Sequence, residues 1–329
     1  MPALLISHAC QLLFGAELAT ALARLRLPLD VLVLPEDKDA RLSEADIARV
    51  EVAFFSQDNF PDYSRQFFST TRKAPNLKWL HAFNVGVDHP IYAEMLERGV
   101  RITTSAGTTA EPIAQTALTG MLMLSRGFPH WLKAQREHRW DPVRLQQSPR
   151  DLPGQTVLVY GLGGIGAEFA RLARALGMRV IGVRRGPRKP DDPVDEMHTP
   201  DQLDALLPRA EWLMLACPLT AETRGLISAQ RLSLLPKDAY VLNVARGEVI
   251  DEAAMTAALQ SGHLAGAYLD VFEQEPLPAT SPLWDLPNVL VTPHNSSSSA
   301  GNERRVFDCF VRILEQWKNG APLTNEVFR

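Results

Sequence analysis

The feature that most constrains this chain is a glycine-spaced turn at residues 157–177, VLVYGLGGIGAEFARLARALG. An apolar, strand-like run ends at Tyr160, glycines follow at Gly161, Gly163 and Gly166, and a helical apolar pattern continues from there. In such a turn the first glycine permits the tight bend and the second lets a phosphate approach the backbone. The third lets the helix pack close to the strand. The helix N-terminus contributes unpaired N–H groups and the positive end of its dipole. A bare glycine pattern is a weak signal, but a strand before it, a helix after it and a second strand beyond make it a dinucleotide-binding turn.

The rest of the chain alternates in the same manner. Apolar runs predict strands at 4–7, 30–34, 52–55, 78–82 and 101–104, then at 157–160, 179–183, 212–216, 240–244, 267–271 and 289–292. Helical patterns lie between them, at 17–24, 90–97, 166–176, 201–207 and 252–261. Strands alternating with helices imply parallel sheets wrapped on both faces, an α/β class. The 329 residues exceed the usual size of one domain. Two doubly wound parallel-sheet domains are expected: a Rossmann domain at 106–294 and a discontinuous substrate domain at 1–105 plus 295–329. The longer helical pattern at 111–126 is read as a bridge between them, and the last, at 301–318, as returning to the first domain. The segment 128–152, with Trp131, His138 and Trp140, has little apolar periodicity. It reads either as a surface loop or as an aromatic contact between subunits of a homodimer.

Composition removes several classes of function. A net charge of -4 lacks the basic excess of a nucleic-acid binder. No apolar stretch reaches the roughly 18 residues a membrane span needs, and no basic leader precedes the apolar N-terminus. The three cysteines, Cys10, Cys217 and Cys309, form no CxxC pair, so neither a disulfide framework nor a metal site is indicated. A reducing, cytoplasmic setting is the expectation.

The strand after the glycine turn ends in Val183-Arg184-Arg185-Gly186, with Arg188 and Lys189 close behind. An NAD site carries an acid at this position for the ribose hydroxyls, whereas arginine accommodates a 2′-phosphate. Arg184 and Arg185 therefore point to NADP(H), with NAD(H) left open. Three further strings put polar groups at strand ends, the edge where ligands sit in open parallel sheets. They are Asn243-Val244-Ala245-Arg246-Gly247, the run from Asp270 to Pro276 with Glu275, and Thr292-Pro293-His294.

Six segments in order carry a resemblance: 78–88 (KWLHAFNVGVD), 152–166, 218–225 (PLTAETRG), 242–251 (LNVARGEVID), 270–277 and 292–294. The chain resembles the D-isomer-specific 2-hydroxyacid dehydrogenases, which include glyoxylate and hydroxypyruvate reductases and phosphoglycerate dehydrogenases. The resemblance implies a flavodoxin-like substrate domain, an active site in the interdomain cleft, and NAD(P)-dependent interconversion of a small 2-oxo acid and its D-2-hydroxy acid. It implies that Arg246 grips the substrate carboxylate, a task suited to a planar, always-charged fork. His294 would pass a proton to and from the substrate oxygen, and Glu275 would orient its ring. Asp270 would accept from the nicotinamide amide, and the backbone of Val85 and Gly86 would bind the carboxylate. Cofactor contacts would also come from Gly164, Ile165, Pro218, Thr223, Val244 and Ala245. No metal is called for, and the partner is a small acid, not a nucleic acid or a membrane.

The histidines at 8, 81, 130, 138, 198 and 263 read as structural. Arg246 and Glu275 have a competing reading as a structural ion pair. Where relatives carry an apolar residue and glycines after the histidine, this chain has Asn295 and four serines, Ser296–Ser299. Those hydroxyls are read either as plain loop residues or as contacts to substrate or nicotinamide. Gln115 stands where relatives often carry Glu, which is read as a local structural change. His89, Phe83 and Trp284 are candidates for the substrate wall or for ordinary packing. Two other functions stay open on the same residues. One is a phosphite-type dehydrogenase with the same triad. The other is a non-catalytic, cofactor-sensing corepressor-like protein. A formate-type site is disfavoured by Glu275, since those enzymes pair the histidine with Gln.

Overall fold

The structure is a computed structural model that describes residues 1–87, 89–143 and 148–328. The last residue of the 78–88 motif and part of the 128–152 segment lie outside the described residues. The chain forms two compact units, residues 1–108 with 299–329 and residues 109–298.

The first unit begins β1 (Ala3–Ile6), α1 (His8–Leu25), β2 (Asp30–Val33), α2 (Glu44–Ile47), β3 (Val50–Phe55) and α3 (Ser64–Lys73). It continues with β4 (Trp79–Ala82), α4 (Pro90–Glu97) and β5 (Arg101–Thr104). The second unit contains α5 (Ala110–Ser125), α6 (Phe128–Arg136), β6 (Thr156–Tyr160), α7 (Gly164–Ala175), β7 (Arg179–Val183) and β8 (Glu196–His198). It goes on through α8 (Leu203–Leu206), β9 (Trp212–Leu215), α9 (Ala229–Leu234), β10 (Ala239–Asn243), α10 (Glu252–Gln260), β11 (Leu264–Leu269) and β12 (Val289–Val291). The chain then rejoins the first unit with α11 (Asn302–Lys318) and β13 (Glu326–Val327).

The sheet of the first unit runs β13-β5-β4-β3-β1-β2, with β13 antiparallel and the other pairs parallel. Without β13 this is the flavodoxin-like order, 2-1-3-4-5. The sheet of the second unit runs β12-β11-β10-β9-β6-β7-β8, all parallel. Counted from β6 it is the dinucleotide-binding order with one strand added at the β12 edge. Both sheets are covered on both faces, so their strands are apolar at consecutive positions. Along β6, Leu158 and Tyr160 enter one buried cluster while Val157 and Val159 enter the other. In the first unit Leu4, Ile6 and Phe54 pack with α1 and α11, and Leu5, Ala53 and Phe55 pack on the opposite face.

Several elements differ from the sequence expectation for visible reasons. α1 starts at His8, nine residues before the apolar pattern suggested, because the Ser7 hydroxyl accepts from the Cys10 N–H and caps the helix. β11 starts at Leu264, which pairs with Ala239 of β10, and its Gly266 lies under the carbonyl of Asn288, where a Cβ would come within 2.6 Å. β8 and β13 are short, polar edge strands that no hydrophobic run announces. The segment after residue 127 is not a plain loop, because Phe128–Arg136 is helical. α5 belongs to the second unit, with Gly120 lying against the Tyr268 ring, where a Cβ would be 2.4 Å from Cγ.

His81 is fully buried in the first unit. Its Nδ1 bonds Thr103 Oγ1 at 2.8 Å and its Nε2 bonds Ser105 Oγ at 3.0 Å, while Trp79 Nε1 donates to the same Thr103 oxygen. Burial pushes this imidazole down to about 3. The folded protein thus holds it neutral, while the unfolded chain protonates it near its ordinary value of about 6.5. Its contribution to stability is complete above that pH and is lost as pH falls from about 6.5 towards 3. The loss should approach about 1.4 kcal/mol per pH unit. Urea midpoints across this window should fall more steeply for the wild type than for His81→Gln. Parallel slopes would show that another group governs acid unfolding.

Candidate active site

The glycine turn connects β6 to α7, at the place where strand order reverses between β6 and β9. Gly161 has φ +97, and a Cβ there would lie 2.6 Å from the Cys217 backbone nitrogen. At Gly166 a Cβ would lie 2.1 Å from the Gly161 carbonyl oxygen, so helix and turn touch through backbone. A Cβ at Gly163 would meet no protein atom within 4 Å. Two glycines close the turn, and the middle one leaves backbone open beside the first turn of α7, which begins at Gly164 and Ile165. These residues fit a dinucleotide pyrophosphate.

Beyond β7 the two arginines part company. Arg184 grips Asp192 through two bonds of 2.9 and 2.6 Å and also donates to the carbonyls of Gly186 and Pro187. The Lys189 N–H donates to the same carboxylate at 2.5 Å. The Arg184 guanidinium therefore ties its own loop together. Arg185, by contrast, is exposed. Of the two arginines expected at a ribose phosphate, Arg184 is held by Asp192 while Arg185 is open to solvent. In the loop after β9, Thr223 Oγ1 donates to the Pro218 carbonyl at 2.6 Å and accepts from the Thr220 N–H at 2.8 Å. Its hydroxyl folds the loop that presents Pro218.

Arg246, Glu275 and His294 lie beyond the C-terminal ends of three adjacent strands, β10, β11 and β12. After β10, the Asn243 side chain accepts from the Ala245 N–H at 3.0 Å and donates to the Arg246 carbonyl at 3.1 Å. This brace buries Val244 and Ala245 and holds the backbone from which Arg246 projects. At Gly247 a Cβ would lie 1.8 Å from the Phe272 carbonyl carbon, so the loop carrying Arg246 rests on the loop carrying Glu275. Glu275 Oε1 accepts from the Phe272 N–H at 3.1 Å, and Oε2 meets His294 Nδ1 at 2.7 Å. The structure thus brings Glu275 and His294 into direct contact across 19 residues. Both remain partly open, with side-chain exposures of 35% and 45%.

His294 has φ +49, a left-handed conformation rare for a non-glycine residue and costing on the order of 1–3 kcal/mol. Asp270, only 1% exposed, offsets that cost. Its backbone carbonyl accepts from the His294 N–H at 2.8 Å. Its Oδ1 accepts from Thr292 Oγ1 at 2.6 Å, Asn295 N–H at 2.9 Å and Ser296 N–H at 3.1 Å. Its Oδ2 accepts from the Ser296 N–H at 3.2 Å and from the Ser296 hydroxyl. The Tyr268 hydroxyl, pushed up to about 12 by burial, extends the chain to Thr292 at 2.8 Å. The acceptor expected to face a nicotinamide amide is thus engaged at both oxygens by the histidine loop. Sequence reasoning missed Ser296 and Thr292 in this role; the run of serines after His294 was the available signal.

Val85 and Gly86 belong to the first unit, in the loop after β4. Asn84 shapes this loop, donating to the Gly86 carbonyl and accepting from the Tyr92 hydroxyl at 2.9 Å. Among the described residues, the backbone N–H groups of Val85 and Gly86 have no protein acceptor, and Val85 is 44% exposed. Phe83 packs against Phe55 in the aromatic cluster, and His89 caps α4 by accepting from the Ile91 N–H. Trp284 is half exposed, with its indole N–H on the Pro278 carbonyl. No cluster of potential metal ligands occurs among the described residues. No helix among them is long and apolar enough to cross a membrane.

A dinucleotide-binding sheet with an arginine, a carboxylate and an imidazole at adjacent strand ends defines a nicotinamide-dependent oxidoreductase. Comparison with known proteins carries this further. The profile for the D-isomer specific 2-hydroxyacid dehydrogenase NAD binding domain matches residues 118–296. The glyoxylate reductase of Thermofilum pendens is 34% identical over 245 residues, 73% of this chain and 72% of that protein. A D-isomer specific 2-hydroxyacid dehydrogenase from Xanthobacter autotrophicus Py2, solved with NADPH and MES, superposes with a TM-score of 0.76. It is 34% identical, over 99% of this chain and 98% of that one. The NADPH-dependent glyoxylate/hydroxypyruvate reductase of Sinorhizobium meliloti, solved with NADP and sulfate, is 27% identical with a TM-score of 0.75, covering 99% and 98%. This chain belongs to the D-isomer specific 2-hydroxyacid dehydrogenase family, oxidoreductases acting on the CH–OH group.

The glycine geometry gives a test of the cofactor turn. Gly163→Ala should fold with an unchanged melting temperature yet bind NADPH at least about tenfold more weakly, because its methyl enters only the open space. Gly166→Ala should lose both stability and binding, since its methyl meets a backbone oxygen. Cofactor fluorescence titration and thermal melts measure both; equal affinity in Gly163→Ala and wild type would place the pyrophosphate elsewhere.

Proposed function

We propose that this enzyme reduces small 2-oxo acids of the glyoxylate and hydroxypyruvate type to D-2-hydroxy acids, with NADPH preferred over NADH. The observation that carries the reading is the 2.7 Å contact between Glu275 and His294 at the ligand edge of the dinucleotide-binding sheet. The cofactor, when bound on the glycine turn, supplies the hydride. His294, with Nδ1 on the Glu275 carboxylate, presents Nε2 to the substrate. From Nε2 it gives a proton to the forming alkoxide and takes it back in the oxidative direction. Glu275 keeps the ring in one tautomer and orientation. Arg246 binds the substrate carboxylate and polarises the 2-oxo group.

The NADPH preference rests on Arg185, which is exposed beyond β7 where an NAD site would carry an acid. Arg184 supports it indirectly, by fixing the loop through Asp192. The naming of two similar proteins solved with NADPH or NADP is consistent with this reading.

NADPH oxidation with glyoxylate, hydroxypyruvate and pyruvate, and NADP+ reduction with phosphite, test the substrate class directly. His294→Ala should lower kcat about 100- to 10,000-fold. Arg185→Ala should lower the NADPH-to-NADH ratio of kcat/KM by about 10- to 150-fold, the worth of one charged hydrogen bond. Turnover of phosphite alone, or wild-type kcat in His294→Ala, would overturn the reading.

The subunit contact of a homodimer is proposed at α6 and the residues after it. Phe128 and Trp131 stack edge to face at 5.5 Å while 42% and 38% exposed, and Trp140 is 97% exposed. Sedimentation velocity should give twice the chain mass for the wild type and the single-chain mass for a Trp131→Asp/Trp140→Asp variant. A wild type at single-chain mass would dismiss the dimer.

A further inference from the structure

Ser296 is the first of the four serines that follow His294 and Asn295. In the structure it is 5% exposed and clamped at both ends. Its hydroxyl and N–H both reach the buried Asp270 carboxylate, and its carbonyl accepts from Thr116 Oγ1 on α5 at 3.2 Å. The single Thr116 hydroxyl proton is shared between that carbonyl and the Pro112 carbonyl at 2.9 Å. Two residues upstream, His294 holds a left-handed backbone whose N–H goes to the Asp270 carbonyl.

Among the described residues, both donors to Asp270 Oδ2 come from Ser296. Removing the hydroxyl leaves that buried carboxylate oxygen with a single, long bond from a backbone N–H. A buried charge short of donors draws in water or pulls the loop toward itself. Either change acts on His294, the strained residue two positions upstream. The hydroxyl faces Asp270, which separates it from the alternative of a direct contact to substrate or nicotinamide.

We infer that Ser296 is a positioning residue for proton transfer: bonded to Asp270 and Thr116, it locks the 292–296 loop so that the His294 ring stays on Glu275. The inference rests on the proposed role of His294. The lock itself has a readout that does not depend on turnover. The N–H groups of Asn295 and Ser296 end on a buried carboxylate, so they should exchange slowly with solvent, and Ser296→Ala should speed that exchange.

Kinetically, Ser296→Ala should lower kcat by about 10- to 150-fold, the range for one hydrogen bond to a charged group, with the NADPH dissociation constant unchanged. Ser296→Thr, which keeps the hydroxyl, should stay close to wild type. Thr116→Val, which removes only the bond to the Ser296 carbonyl, should move kcat in the same direction and by less. In a double-mutant cycle, Ser296→Ala should cost little more once Glu275→Gln is present, because both changes free the same ring. Melting temperatures confirm that each variant is folded. Wild-type kcat in Ser296→Ala, additive costs in the cycle, or a loss confined to NADPH affinity would each overturn the inference. Failure of the wild-type chain to turn over any 2-oxo acid, with the exchange result intact, would instead sink the function and leave the lock standing.

Discussion

Parallel pairing is the constraint on which the rest of this molecule depends. In a parallel sheet every strand ends at the same edge, so the loops leaving the strands collect there whatever their distance in sequence. β10, β11 and β12 are neighbours, and the loops after them carry Arg246, Glu275 and His294. The same edge, two strands away at β6, carries the glycine turn. The two features reach one edge through the winding order, and no local signal in either segment could bring them together.

Within that edge, precision comes from small residues and buried polar groups. Gly247 lets the loop of Arg246 lie against the backbone of Phe272 and Glu273, which aligns it with the loop of Glu275. Asn243 braces the turn before Arg246, and Asp270 gathers the turn that carries His294. Each of these groups is buried and hydrogen-bonded, the condition under which a polar residue rigidifies a site. The exposed members, Glu275 and His294, are the ones that have to meet a ligand.

Charge is handled the same way beyond β7. Arg184 and Arg185 are adjacent in sequence and chemically identical, yet one is turned into its own loop by Asp192 and the other faces solvent. Asp192 lies eight residues downstream of Arg184. Counting basic residues near a strand end therefore overstates how many of them are available to a phosphate.

The apolar runs and the glycine spacing determined by themselves that this is an α/β chain with two wound parallel sheets, because burial on both faces forces consecutive apolar positions and a phosphate-binding turn needs glycine at its close approaches. They also placed polar strings containing Arg246, Glu275 and His294 just past apolar runs, and the resemblance to a known family singled out those three. Only the tertiary structure decided the rest. β8 and β13 are too short and polar to announce themselves, and they exist because an existing sheet edge offers them backbone partners. The commitment of Arg184 to Asp192, and of Asp270 to the His294 loop, depends on which polar groups folding brings within hydrogen-bond reach. That is a property of distances in space, and residue spacing along the chain does not contain it.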